Sequence, residues 1–152
     1  MTHEELKQRV LSLVPNAEIV DGKEFPIVTV AQNKLFNLAK SLREGEDTCF
    51  DYLFCLTGMD WIDSLGVIYH LRSTKYNHEI ELKIKTPNRE NPQFDSVCAI
   101  WKTAEFLERE VYDLMGINFK NHPDLRRIFL DDTWVGHPQR KDYSDEVNII
   151  ER

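Results

Sequence analysis

Two short segments set the frame for this chain. Val67, Tyr69 and Leu71 alternate with His70 and Arg72, and Ile80, Leu82 and Ile84 alternate with Glu81, Lys83 and Lys85. A period of two puts each apolar set on one side of a strand. The pair therefore reads as two half-buried antiparallel strands around a turn near Tyr76-Asn77. A sheet with one apolar face must be covered, and three helical patterns supply the cover.

The first pattern opens on Thr2 and Glu5, spaced as a capping box, and carries Leu6, Val10, Leu13 and Val14 along one face before Pro15 ends it. The second follows Asn33, a candidate cap, with Leu35, Leu38, Ala39 and Leu42, and should end near Gly45. The third follows Thr103, also a candidate cap. It carries Ala104, Leu107, Val111 and Leu114 up to Gly116, where a left-handed C-terminal residue is wanted. Ile19-Val20, the turn pair Asp21-Gly22 and Pro26 to Val30 suggest a hairpin. Phe50 to Trp61 is apolar and ambiguous between helix and strand; Thr86 to Asp95 reads as a polar loop; Val97 to Trp101 reads as a further strand. The expected fold is a two-layer α+β domain over residues 1–116, with a small mixed sheet and helices on one face.

Beyond Gly116 the periodicity fails. Glu108 to Asp142 holds seven carboxylates and six Lys/Arg side chains, with Ile117, Phe119, Leu125, Ile128, Phe129, Leu130 and Trp134 set among them at no fixed interval. Structureless connections longer than about 12–15 residues are uncommon in compact domains and are usually functional. Residues 117–152 are expected to form an extended arm, because they are too few for a core of their own.

Composition removes several function classes. The net charge of −7 over 152 residues disfavours nucleic acid, which needs a basic footprint. The strip from Arg126-Arg127 to Arg140-Lys141 is balanced by its own acids, so it has no net positive field. No apolar run is longer than Tyr52 to Leu56, which is far below the roughly 18 residues of a membrane span. The acidic N-terminus is neither signal nor transit peptide. Three widely spaced cysteines, Cys49, Cys55 and Cys98, suit reduced thiols in a cytoplasmic protein.

The search for chemistry returns little. No two of the six glycines lie within five residues of each other, which excludes GxGxxG and the P-loop. The cysteines offer no CxxC and are too few for an ordinary four-thiolate cluster. The five histidines include no HxH or HExxH pair; His122 and His137, each before a proline, read as structural. Glu108 and Glu110 point to different faces of a helix, so they are not a paired acid and base. Glu110 and Asp113 share a face, and Arg109 and Asp113 stand at i, i+4. Either these are a solvated charged face, or the carboxylates hold Arg126 and Arg127 of the arm in fork-shaped salt bridges. Arg and Trp are enriched at interface hot spots, so the arm, with Trp134, fits a protein partner.

These residues carry a resemblance. EREVYDLMGINFKNHPDLRRIFL followed by GHPQRKDY resembles the signature of the C-type subunit of respiratory complex I, the proton-pumping NADH:quinone oxidoreductase. Phe50-Asp-Tyr-Leu to Leu56-Thr-Gly-Met-Asp60, Val67 to Leu71 and Ser96 through Trp101 are similar to the family in the same order. The family usually has an apolar residue, commonly Leu, where this chain has Gln139. The resemblance implies a small α/β domain in the peripheral arm, on the cytoplasmic side in bacteria or the matrix side in mitochondria, touching the membrane only through the complex. It implies packing against the large D-type subunit, and an interface role, not a catalytic one, for Glu108, Arg109, Glu110, Asp113, His122, Arg126, Arg127, Arg140, Lys141 and Asp142. It implies that NADH, FMN, iron–sulfur clusters and quinone belong to the complex, with none bound by this chain. Membrane-bound hydrogenases and ferredoxin- or deazaflavin-dependent complexes carry similar subunits and are the alternative setting. A stand-alone quinone-binding enzyme centred on His122 and Asp113 is a further reading.

Overall fold

A computed structural model describes residues 1–145; the last residues of the expected arm, 146–152, lie outside them. The elements are α1 (His3–Leu13), β1 (Glu18–Asp21), β2 (Pro26–Thr29), α2 (Gln32–Glu44), β3 (Tyr52–Asp60), β4 (Leu65–Arg72), β5 (Glu79–Thr86), β6 (Gln93–Asp95), α3 (Ala104–Met115) and β7 (Asn118–Lys120). Five strands form a mixed sheet in the order β1-β2-β5-β4-β3, parallel only between β2 and β5. β6 and β7 form a second, two-stranded parallel sheet.

The alternation behaves as expected. Val67, Tyr69, Leu71, Ile80, Leu82 and Ile84 are all buried, while Ile68, His70, Arg72, Glu81, Lys83 and Lys85 face outward and are half-buried or exposed. The ambiguous run resolves as β3, paired with β4 from Tyr52↔Arg72 to Asp60↔Leu65. Its Gly58 admits α3: a Cβ there would lie 2.9 Å from Val111 and 3.0 Å from Met115. A strand glycine at such a close approach has a packing reason. The capping box of Thr2 and Glu5 is present.

Four expectations change. Asn33 does not cap α2; Ala31 stands at that position, with no side-chain bond. Thr103 does not cap α3 either: it has helical dihedrals, and its hydroxyl bonds the Leu53 carbonyl, which ties α3 to β3. Residues 97–101 are a turn with Ile100 and Trp101 N–H groups on the Val97 carbonyl, and the strand is β6, inside the stretch expected as a loop. Finally, the core does not stop at Gly116. Ile117 and Phe119 are 0% and 2% exposed and belong to the core cluster. Gly116, at φ 70°, turns the chain back so that β7 runs beside β6. The first residues of the expected arm therefore complete the second sheet.

Candidate functional site

After β7 the chain runs back along its own domain as a strap, held at two buried carboxylates. The first is Asp113, on α3 and without exposed surface. Its Oδ2 accepts the backbone N–H groups of Ile128, Phe129 and Leu130 at 3.0, 2.7 and 3.0 Å. Its Oδ1 takes Arg127 Nη1 at 2.7 Å. Arg127 also donates to the carbonyls of Asp113, Trp134 and Gly136, so one guanidinium gathers three segments of chain. Burial opposes the charge on Asp113, but the Leu130 N–H, Arg127 and the Phe129 and Ile128 N–H groups outweigh it, and its pKa stays below the ordinary carboxylate value. Arg109, on the same helix, donates to the carbonyls of Arg126 and Arg127. His137 Nδ1 donates to the Asp113 carbonyl at 2.9 Å. A Cβ on Gly116 would sit 2.5 Å from that histidine ring, a second reason for glycine there besides its φ.

The second anchor is Asp60 at the end of β3, with its side chain 3% exposed. Arg89 grips it with both terminal nitrogens at 2.7 and 2.9 Å, and the Ile62 and Lys141 N–H groups add two more bonds. Arg89 also reaches Asp142, which Arg140 clamps in turn, and Arg140 bonds the Arg89 carbonyl. The Arg89 bonds hold Asp60 far below the usual carboxylate range against its burial, and Arg140 does the same for Asp142. Gln139 docks by its backbone on the Leu114 carbonyl while the residue stays exposed. A polar residue in place of an apolar one therefore meets solvent here.

A third cluster, Cys98, Glu108 and His122, brings three potential ligand atoms within 4.8 Å of one another. Its donors are already engaged. His122 Nδ1 accepts the Asp124 N–H, so its proton sits on Nε2 and goes to the Glu105 carbonyl. A metal on Nε2 would displace that proton and break the bond to Glu105. Glu108, fully buried, accepts from the Ser96 hydroxyl, the Val97 N–H and the Cys98 thiol. Burial pushes the Cys98 thiol up to about 12, the condition of an inert cysteine. The arrangement braces the turn before α3 and the start of the strap.

Burial also raises the Glu108 pKa above its ordinary 4.5, despite its hydrogen bonds. Between the unfolded and folded values the native state keeps a proton that the unfolded chain has lost. Stability is then drawn down as pH rises through that window. Glu108→Gln is expected to flatten this: its thermal midpoint should decline less than the parent's between about pH 5 and pH 8, measured by circular dichroism at each pH. Parallel curves would sink this account.

The site residues expected from sequence thus divide. Glu108, Asp113 and Arg109, expected at an interface, are buried and bonded to residues of their own chain. His122, with a side chain 0% exposed, joins them. Arg127 is the arginine held by a buried carboxylate; Arg126 is exposed, and its side chain pairs with Asp124, two residues away. The Arg109–Asp113 pairing does not form. Glu110, Lys141 and Asp142 are exposed, and Trp134 and Arg140 are half-buried. Asp60 and Arg89 have no role assignable from sequence; Asp60 ends an ambiguous run and Arg89 sits in a polar loop, so neither carries a local signal. Outward, the strap shows Phe129, 64% exposed, and Val135, 86% exposed.

Comparisons with known proteins agree on the kind of chain this is. Residues 28–147 match the family described as the respiratory-chain NADH dehydrogenase 30 kDa subunit. The chain is 42% identical over 137 residues to the C-type subunit of the NADH-quinone oxidoreductase of Geobacter sulfurreducens, covering 84% of this chain and 81% of that one. With the C-type subunit of Moorella thermoacetica the identity is 37%, covering 90% and 91%. With the C/D-type subunit of Phocaeicola vulgatus it is 49% over 124 residues, covering 81% of this chain; the chain spans about a quarter (24%) of that longer relative. Among solved structures, a chain of the membrane-bound sulfane sulfur reductase, an archaeal respiratory membrane complex, superposes with a TM-score of 0.81 at 23% identity. It covers 95% of this chain and 86% of that one, and shares the fold.

Proposed function

The chain belongs to the family of the respiratory-chain NADH dehydrogenase 30 kDa subunit, and on that footing we propose that it is a non-catalytic member of an NADH-quinone oxidoreductase complex. In this reading it lies in the peripheral arm, on the cytoplasmic side, and supports electron transfer from NADH to quinone without binding FMN, a cluster or quinone itself. No helix among the described residues is long and apolar enough to cross a membrane, and in this reading membrane contact is made through other subunits. The partner is the D-type subunit, whose letter is joined to C in the names of the longer relatives.

The strap carries this reading. Arg127 turns inward onto Asp113 and the Lys141 N–H onto Asp60, while Phe129 and Val135 turn outward. Side chains this apolar and this exposed, on backbone fixed from beneath, suit a rigid docking surface that loses little ordering entropy on binding. Phe129→Asp with Val135→Asp tests it. The double variant should leave the stability of the isolated chain within about 0.5 kcal/mol while the D-type subunit no longer co-purifies with a tagged chain. Undiminished recovery of that partner would overturn the assignment of this surface.

A further inference from the structure

On the side of α2 away from the core, a groove runs between that helix and the segment from β6 to the turn at 97–101. Two lobes of about 320 and 340 Å³ join over Phe36 and Ala99. The first continues between Asn37 and Asp95; the second ends on Lys40, Arg43, Glu44 and Ile100. The first lobe is bordered by Asn121, the first residue after β7.

The charges at the second lobe are unusual for this molecule. Every other described arginine has an ion pair or hydrogen bond: Arg9, Arg72, Arg89, Arg109, Arg126, Arg127 and Arg140. Arg43 has neither, and its Nη1 is buried without an acceptor. The nearby Asp51, whose ionisation Arg43 favours, already bonds the Thr74 N–H and hydroxyl. Lys40 reaches only Glu44, at 4.0 Å. Swinging the Arg43 fork into the groove breaks no hydrogen bond, and a buried guanidinium nitrogen without an acceptor favours a conformation that finds one.

We propose that this groove is a second docking site, filled by an extended acidic segment of another subunit, with an apolar side chain over Phe36 and Ala99 and a carboxylate on Arg43 and Lys40. This rests on the chain being a member of the complex, but not on the strap surface. Asp95 lines the first lobe while the weakly paired Lys40 and Arg43 line the second, and this difference in charge places the occupant's carboxylate at the second lobe and fixes its direction.

The test uses the assembled complex in membranes. One chain carries p-benzoylphenylalanine in place of exposed Ala99, another in place of Val135. Illumination should join the Ala99 position to another subunit, at a peptide with Asp or Glu beside the cross-linked residue. Arg43→Glu, and separately the surface change Lys40→Glu, should lower that adduct by about tenfold or more while leaving the Val135 adduct unchanged. The proposal is overturned if the Val135 adduct forms and the Ala99 adduct does not. It is equally overturned if Ala99 joins a second copy of this chain or a phospholipid, or if its adduct ignores both charge reversals. Loss of both adducts in the unaltered background would overturn the reading of the chain as a member of the complex, and the groove with it.

Discussion

Asp113→Ala should cost about 3–5 kcal/mol of stability, the largest effect of any single side chain on the strap. The substitution leaves Arg127 as an uncompensated cation, 13% exposed at its side chain, and strips one acceptor from three consecutive N–H groups. Each orphaned donor that stays buried adds about 1–3 kcal/mol, so the strap should detach rather than stay in place unsatisfied. Urea denaturation reads the loss. Limited trypsin digestion reads its location: cleavage at Arg126-Arg127 should precede cleavage anywhere in the sheets. Arg126→Ala is the contrast, expected within about 0.5 kcal/mol, since its side chain pairs with the exposed Asp124. A loss below about 1 kcal/mol for Asp113→Ala would show that the nest does not anchor the strap. Because the Asp113 pKa is depressed, the stabilisation it gives is present above the ordinary 3.8 and is lost as pH falls through its folded value.

Asp60→Ala should follow, with a loss of about 3 kcal/mol and a different cleavage pattern. Arg89 would keep Asp142 as a partner, which softens the effect relative to Asp113. What is lost is the join between the end of β3 and the Lys141 backbone, so trypsin should reach Arg140-Lys141 first and leave Arg126-Arg127 protected. The same cleavage site opening first in both variants would refute the idea of two separate anchors. Both anchors gain stability from charged carboxylates. The chain should therefore lose the strap in acid, below the ordinary carboxylate pKa, before the sheet core melts.

How much of this is legible beforehand depends on distance along the chain. The buried faces of β4 and β5, the capping box at Thr2 and the left-handed Gly116 are all local, and their periodicity or turn chemistry reports them. Thr103 shows the limit. It stands where a cap belongs, yet a carbonyl 50 residues away takes its hydroxyl instead. The turn at 97–101 reads as a strand because it is rich in apolar residues; what holds its start is the Glu108 carboxylate on the Val97 N–H. Of the candidate site, residue types and neighbourhood are visible in the sequence, and so is a salt bridge between α3 and the following arginines. Which arginine forms it is not.

The amino-acid order alone determined where most strands, helices and the end of periodic structure fall, because those depend on side chains two to four residues apart. Family membership was also legible, in a motif long enough to be distinctive. Tertiary structure decided the direction of the strap. Arg127 meets Asp113 across 14 residues, Arg89 meets Asp60 across 29, and the Lys141 N–H meets Asp60 across 81. A charged, aperiodic segment has the same composition whether its carboxylate partners lie on another protein or beneath its own backbone. Only the return of the chain over α3 and the end of β3 buries those charges at home and leaves Phe129 and Val135 facing out.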